Sequence, residues 1–585
     1  MKNSRQRSNL ISLIARIFLS LVVLVLILFY VAPDIDLLLL QKRPEATRTA
    51  VAKSTAQEAG LPSSPTANPT KKIPPSSTPG PTATTRPKTI WIDPNLPDAL
   101  RSQIQIPAGF SQIEQKDQAS VIVAIGNQNI VGHWIYALVT PFPSLSEGIQ
   151  ISELTAFWQG EGKGLYVDQP LYLDPETERV LTAWWGPPGD GAAVVLPGDK
   201  ILDMLWPNPE RWAIIPFQAL EPRWKVLAVG GQKPIHQEYD ADKDVLSIPI
   251  SVTGWDAYRK EVLFENPSLT NRNTDEMTTI LLTGVTALVR DTAALMEENG
   301  VLYPAEYIGS LLRSADLTHV SNEVPFASDC PPPDPGQPSL YFCSDDRYLE
   351  LLDYIGTDIV ELSGDHFGDW GEESMYHTLE LYESQGWDWY GGGRNLEEGL
   401  QPLLWEHHGN RIAFIGCNAK GADKYATASD TEPGAAKCDF LRMREEIGRL
   451  KEKGYTVIAT MQHEEIYKFR ASHYQKRDFR SLAEAGADIV SGSQAHQPQA
   501  FDFHDRSFIH YGLGNLFFDQ YLLAQRVQKY EHSDQAFIDS HLMYQGRHIN
   551  TELFTIQFID NAQSRFMTDE ERAELLFNIF ETSDW

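Results

Sequence analysis

The sequence predicts an α/β protein with two folded regions behind an apolar N-terminal segment. Three observations lead there. Short β-rich apolar runs alternate with amphipathic helical patterns through most of the chain, the signature of sheet and helix layers. Several of those runs end in polar tips that carry a histidine: ELSGDHFGDWG (361–371), VIATMQHEE (457–465) and GADIVSGSQAHQPQ (486–499). At 585 residues the chain is also too long for one hydrophobic core.

The N-terminus carries Lys2, Arg5, Arg7 and Arg16, followed by an apolar stretch over residues 10–31. About 20 such residues cross a bilayer. The basic residues before it predict residues 1–9 in the cytoplasm, a transmembrane anchor over 10–31, and the cell membrane as partner and location, single-pass with the rest extracellular. No small-residue cleavage site follows cleanly, so a retained anchor is expected over a cleaved signal peptide. Residues 43–88 are rich in Pro, Thr, Ser and Ala. They cannot bury enough apolar surface to offset ordering entropy and read as an extended linker.

Residues 90–266 form the first folded region, with strand-like runs (SVIVAIG, HWIYALVTPF, WAIIPF, KVLAVGG) and helical pieces (SELTAFWQ, GDKILDMLW). Their order resembles the periplasmic solute-binding-protein fold, which implies an α/β domain. The tryptophans concentrated here, Trp134, Trp158, Trp184, Trp185, Trp206, Trp212 and Trp224, are expected mostly in its core. The second region, 277–585, opens on the apolar run TTILLTGVTAL. It continues through LTHVSNE, TDIVELSGDH, RIAFIGCN, YTVIATMQHEE, ADIVSG and SFIHYG, separated by helical patterns that often stop at glycine.

A formal net charge of −30 excludes a nucleic-acid binder, which would show a basic face. The four cysteines, Cys330, Cys343, Cys417 and Cys438, all follow the apolar segment. An oxidising compartment is expected there, with the local pairing Cys330–Cys343 and Cys417–Cys438, each closing a Pro-, Gly- or Ala-rich loop.

The blocks TGVTALVR, ADLTHVSNE, LSGDHFGDWG, Gly391-Gly392-Gly393, TMQHEE, GADIVSGSQAHQPQ and IHYGLGNLFFD occur in an order similar to the CapA (poly-γ-glutamate capsule synthesis) family, within the calcineurin-like metallophosphoesterase superfamily. That resemblance implies a four-layer α-β-β-α sandwich for 277–585. The family pattern has a metal-binding Asp after the first glycine, where this chain has Gly284-Val285. Asp365 stands where the pattern has an amide. Of a histidine-rich block only His496 remains, in Ser493-Gln494-Ala495-His496.

The survivors form a mixed carboxylate and imidazole set. Glu323, Asp365, His463 and His496 are the expected metal ligands, and His366 with Asp365 the expected catalytic pair, His366 as general acid. Such a set suits Mn, Zn or Fe, as one ion or none. The expected function is synthesis, export or processing of an anionic envelope polymer or peptide by a membrane-anchored CapA-like protein. If active, it would be a metal-dependent hydrolase of the metallophosphoesterase type. The alternative is a catalytically degenerate extracellular polymer- or solute-binding protein, which Val285, Ser493 and Gln494 motivate. Isolated turn histidines such as His408, His504 and His510 are expected to be ordinary hydrogen-bonded side chains. Asp369 is read as either a helix cap or a ligand.

Overall fold

The computed structural model describes residues 87–161, 169–420, 426–583 and 585. Among them the longest helices, Glu372–Gln385 and Asp569–Thr582, have 14 residues. At about 1.5 Å per residue, that is roughly 21 Å, short of the roughly 30 Å of a bilayer core. No helix among the described residues is long and apolar enough to cross a membrane. This corrects the expected fold class with its transmembrane helix, and with it the membrane-anchored function, the single-pass membrane location and the membrane as partner: none of them has a spanning helix behind it among the described residues. The segment 10–31 that carried those expectations, and the 43–88 linker up to residue 86, lie outside the described residues.

The first region is organised on a nine-stranded mixed sheet whose longest strand is Ile130–Pro141. That strand pairs antiparallel with Ser247–Gly254 on one side and with Ala213–Pro216 and Trp224–Val226 on the other. The helix Pro175–Trp185 packs on this sheet. It starts where Asp174 accepts from the amides of Glu176 and Thr177 with Pro175 in the first turn, and it stops at Gly186. Trp134, Trp158, Trp212 and Trp224 are buried, so most of the tryptophans serve packing as expected.

The second region has two facing sheets. In one, the parallel strands Met277–Thr286, Leu317–Asn322, Thr357–Glu361 and Asp388–Tyr390 continue into the antiparallel strands Gln535–Tyr544, Arg547–Phe558 and Ser564–Phe566. In the other, Asn410–Asn418, Thr456–Gln462, Ile489–Gly492 and Ser507–His510 run parallel, with antiparallel edge strands. Period-two alternation sorts their side chains. Ile280, Leu282, Ile359, Phe414, Ile458 and Ile489 meet between the sheets. Leu281, Val320 and Val360 face outward onto the helices Arg290–Asn299, Leu349–Tyr354 and Glu372–Gln385. Val457, Ala459 and Met461 face the helices Phe440–Glu452 and His473–Glu484. The layer order is therefore helix, sheet, sheet, helix.

Residues 85–585 form one compact unit. Phe142 of the first region inserts among Phe501, Phe503 and Phe508 of the second, with ring centroids 5.3–5.6 Å apart. Polar contacts cross the same junction: Glu552 binds Lys233 and His236, and Arg572 Nε donates to Glu147 Oε1 at 3.1 Å. Both expected disulfides are present, Cys330–Cys343 and Cys417–Cys438.

Candidate functional site

All the parallel strands of the second region deliver their C-terminal ends to one edge of the sandwich, where ligands collect in open α/β sheets. Glu323 follows Leu317–Asn322, and its amide donates to Thr286 O at 2.9 Å. Asp365 and His366 follow Thr357–Glu361 on a tight turn. A Cβ on Gly364 would lie 2.7 Å from Glu323 O, so only glycine lets this turn press against the Glu323 backbone. Glu323, Asp365 and His366 thereby come together, each offering a ligand atom within 4.8 Å of the others. His366 Nδ1 is paired with Asp369 Oδ2 at 2.7 Å, which leaves Nε2 facing the cluster. Asp369 thus orients the histidine, and it also accepts from the Phe342 amide at 3.0 Å.

The other expected ligands do not join them. In Thr456–Gln462 the inward positions are Ile458, Thr460 and Gln462, so His463 continues on the outward side. There its Nε2 pairs with Asp478 Oδ2 at 3.0 Å, on the helix His473–Glu484. His496 adopts a left-handed backbone with φ 50°. Its Nδ1 pairs with Asn515 Oδ1 at 2.9 Å, and its ring stacks on Phe518 at 5.2 Å. Val285 is fully buried, in register with Ser321 and Asn515, and has no donor atom to give.

Sequence reasoning passed over Lys420. It lies just past the strand Asn410–Asn418, and its Nζ sits 2.7 Å from Asp365 Oδ2 and 3.0 Å from Glu465 Oε2. Oriented by its hydrogen-bond partners, the Gln494 amide accepts from Lys420 Nζ at 3.0 Å and donates to Asp365 Oδ1 at 3.3 Å. An ammonium has three N–H donors, and all three are taken. The backbone fixes this placement: Lys420 N donates to Asn418 Oδ1 at 3.1 Å, and Ala419 N donates to Gln462 O at 2.7 Å. Asn418 Nδ2 donates to Ser363 O at 2.8 Å, and Cys417 is tied to Cys438. Lys420 was legible as another ionisable residue at a strand end, but it matches no ligand motif.

The electrostatics follow from this packing. Burial, and then the negative charge of Asp365, pushes Glu323 up to about 8. Burial would also raise Asp365, but Lys420 and His366 outweigh it and hold that carboxylate below its ordinary range. Burial opposes a charge on His366. The Asp369 hydrogen bond and the nearby carboxylates outweigh it and lift His366 to about 9. For Lys420 too, burial opposes the charge and Asp365 and Glu323 win, so it lies above the usual ammonium range. Burial lowers His496.

For a metal, the donors make a partial cluster. Glu323, Asp365 and His366 Nε2 could together hold one ion, but a second ion would lack the first-strand carboxylate and both remaining histidines. The Lys420 ammonium already supplies a positive charge against Asp365.

Residues 279–520 match a family described as bacterial capsule synthesis protein PGA_cap. Over that stretch the chain shows distant homology to capsule-synthesis proteins. The capsule biosynthesis protein CapA of Bacillus anthracis is 22% identical over 280 residues, spanning 46% of this chain and 66% of the relative. The PGA biosynthesis protein CapA of Bacillus subtilis (strain 168) is 22% identical over 278 residues, spanning 46% and 70%. Among solved structures, the NAD nucleotidase NadN of Haemophilus influenzae is 10% identical at a TM-score of 0.28, covering 53% of this chain and 57% of that one. An ABC-type phosphate transport receptor from Vibrio cholerae is 9% identical at a TM-score of 0.24, covering 30% and 97%. Both are weak likenesses.

Proposed function

We propose that this protein binds an envelope polymer of the capsule type at the strand-end site without turning it over. The observation that carries this reading is Lys420. Its ammonium is held by Asp365, Glu465 and Gln494, against the carboxylate that a hydrolase would need for its metal. The outward turn of His463, the commitment of His496 to Asn515 and the valine at position 285 support the same conclusion. The distant relationship to the two CapA proteins, whose names refer to capsule and PGA biosynthesis, supports the ligand class. The site offers the His366 imidazolium beside the Glu323 carboxyl. That pairing suits a peptidic polymer whose repeat carries both amide and carboxylate groups. The two disulfides favour an oxidising compartment.

Calorimetric titration of the full chain with a γ-glutamyl decapeptide, followed by chromatography after incubation with Mn²⁺, tests the reading. Saturable binding with the decapeptide recovered intact is expected. Cleavage of the decapeptide, or of a generic phosphodiester, would overturn it, as would the absence of binding.

A further inference from the structure

A cavity lies at the other end of the six-stranded sheet. The strand Ser507–His510 runs parallel to Ile489–Gly492, so its C-terminus leads toward the acid cluster. The turn that precedes it, after Phe501–His504, is at the opposite edge. There an open cavity of about 560 Å³ forms between this turn, the end of the helix Gly198–Leu205 and the last residue of the chain.

Three aromatic rings line it. Phe503 and Trp585 stack at 6.2 Å with 29° between their planes, and Trp206 meets them edge-on at 5.8 and 6.1 Å. Trp585 is 40% exposed, and its indole is fixed by donation from Nε1 to Phe580 O at 3.2 Å. Trp206 and Phe503 are half-buried. A core cluster would be sealed from water. This one lies at the margin of the core, where Trp206, Phe503 and Trp585 line an open cavity together with charged groups, a combination that marks a ligand site more than a packing defect.

Charge narrows the ligand. Asp203, Glu484, Asp502 and Asp505 face the cavity against Arg223 and Arg480. Asp502 already engages Arg480, and Glu221 engages Arg223. The excess of carboxylates disfavours an anionic polymer. Carboxylates and guanidinium groups beside aromatic rings do match a pyranose, whose C–H face packs on the rings while its hydroxyls donate and accept at the rim.

We propose that the cavity lined by Trp206, Phe503 and Trp585 is a binding site for a neutral oligosaccharide. This site is independent of the strand-end site, since it shares no residue with it.

Intrinsic tryptophan fluorescence of the full chain, titrated with maltohexaose, cellohexaose and chitohexaose, tests the proposal. At least one hexaose should quench saturably with a dissociation constant of roughly 1 mM or tighter. Trp585→Ala should weaken that binding about tenfold with the far-UV circular dichroism of the full chain unchanged. Arg480→Gln, which leaves the aromatic rings in place, should weaken it as well. No response to any hexaose at roughly 10 mM, or a response unaltered by both substitutions, would overturn the proposal. So would displacement of the hexaose by a γ-glutamyl decapeptide, which the carboxylate excess forbids.

Discussion

Replacing Lys420 with methionine keeps the length of the side chain and removes its ammonium. The change strips the counter-charge from Asp365 at 2.7 Å and Glu465 at 3.0 Å. Breaking a buried ion pair costs about 3–5 kcal/mol. The Lys420 side chain is 24% exposed, which discounts this to about 2–3 kcal/mol. A unit of 85–585 unfolds with an entropy of about 1 kcal/mol/K at about 2.1 cal/mol/K per residue. Lys420→Met should therefore melt about 2–3 °C below the wild type. With the ammonium gone, Glu323, Asp365 and His366 are free to gather round a divalent ion. At a Mn²⁺ concentration 100 times its dissociation constant, binding restores about 2.7 kcal/mol, again about 3 °C. Differential scanning calorimetry with and without Mn²⁺ reads both effects. The variant should be destabilised and rescued by Mn²⁺, while the wild type does not respond. An equal Mn²⁺ shift in both proteins would refute the reasoning, because Lys420 would then not be what keeps the ion out.

Two further outcomes follow from the junction and the crosslinks. Burial opposes the charge on Glu552, but Lys233 and His236 outweigh it and hold this carboxylate well below its usual range. A depressed folded pKa contributes stability above the unfolded value of about 4.3, and that stability is lost as pH falls toward the folded one. Glu552→Gln should therefore melt about 3 °C lower at pH 5–8, with the gap narrowing below about pH 4. A constant gap down to pH 2 would contradict this account. The Cys417–Cys438 link, with its sequence separation of 21, should contribute about 3 kcal/mol through loop closure. The paired serine variant should melt about 3 °C lower, and it should also lose the discrimination against Mn²⁺, because Lys420 leaves from that strand end. A serine pair that still ignores Mn²⁺ would dissociate the crosslink from the site.

Much of the second region was legible because strand ends are written in local sequence. Polar tips after apolar runs located Glu323, Asp365 and His366, and the short Cys330–Cys343 and Cys417–Cys438 separations located the crosslinks. His463 was legible as a strand-end residue but not in its direction. One position of strand register decides which face a side chain takes, and Gln462 holds the inward place. Lys420 acts through contacts that tertiary packing creates and has no sequence pattern of its own, whereas Asp369, open in the sequence between helix cap and ligand, is placed by its hydrogen bond with His366. The insertion of Phe142 between Phe501 and Phe508 joins residues more than 350 positions apart by a packing choice that no periodicity encodes.

The central claim is that Lys420 supplies the positive charge that a metal would otherwise bring to Asp365. Crystals of the wild-type protein soaked in Mn²⁺ and measured at the manganese absorption edge test it directly. The account predicts Lys420 Nζ in hydrogen-bond contact with Asp365 and no anomalous peak among Glu323, Asp365 and His366. A peak about 2.0–2.2 Å from those three ligand atoms, with Lys420 displaced, would contradict it.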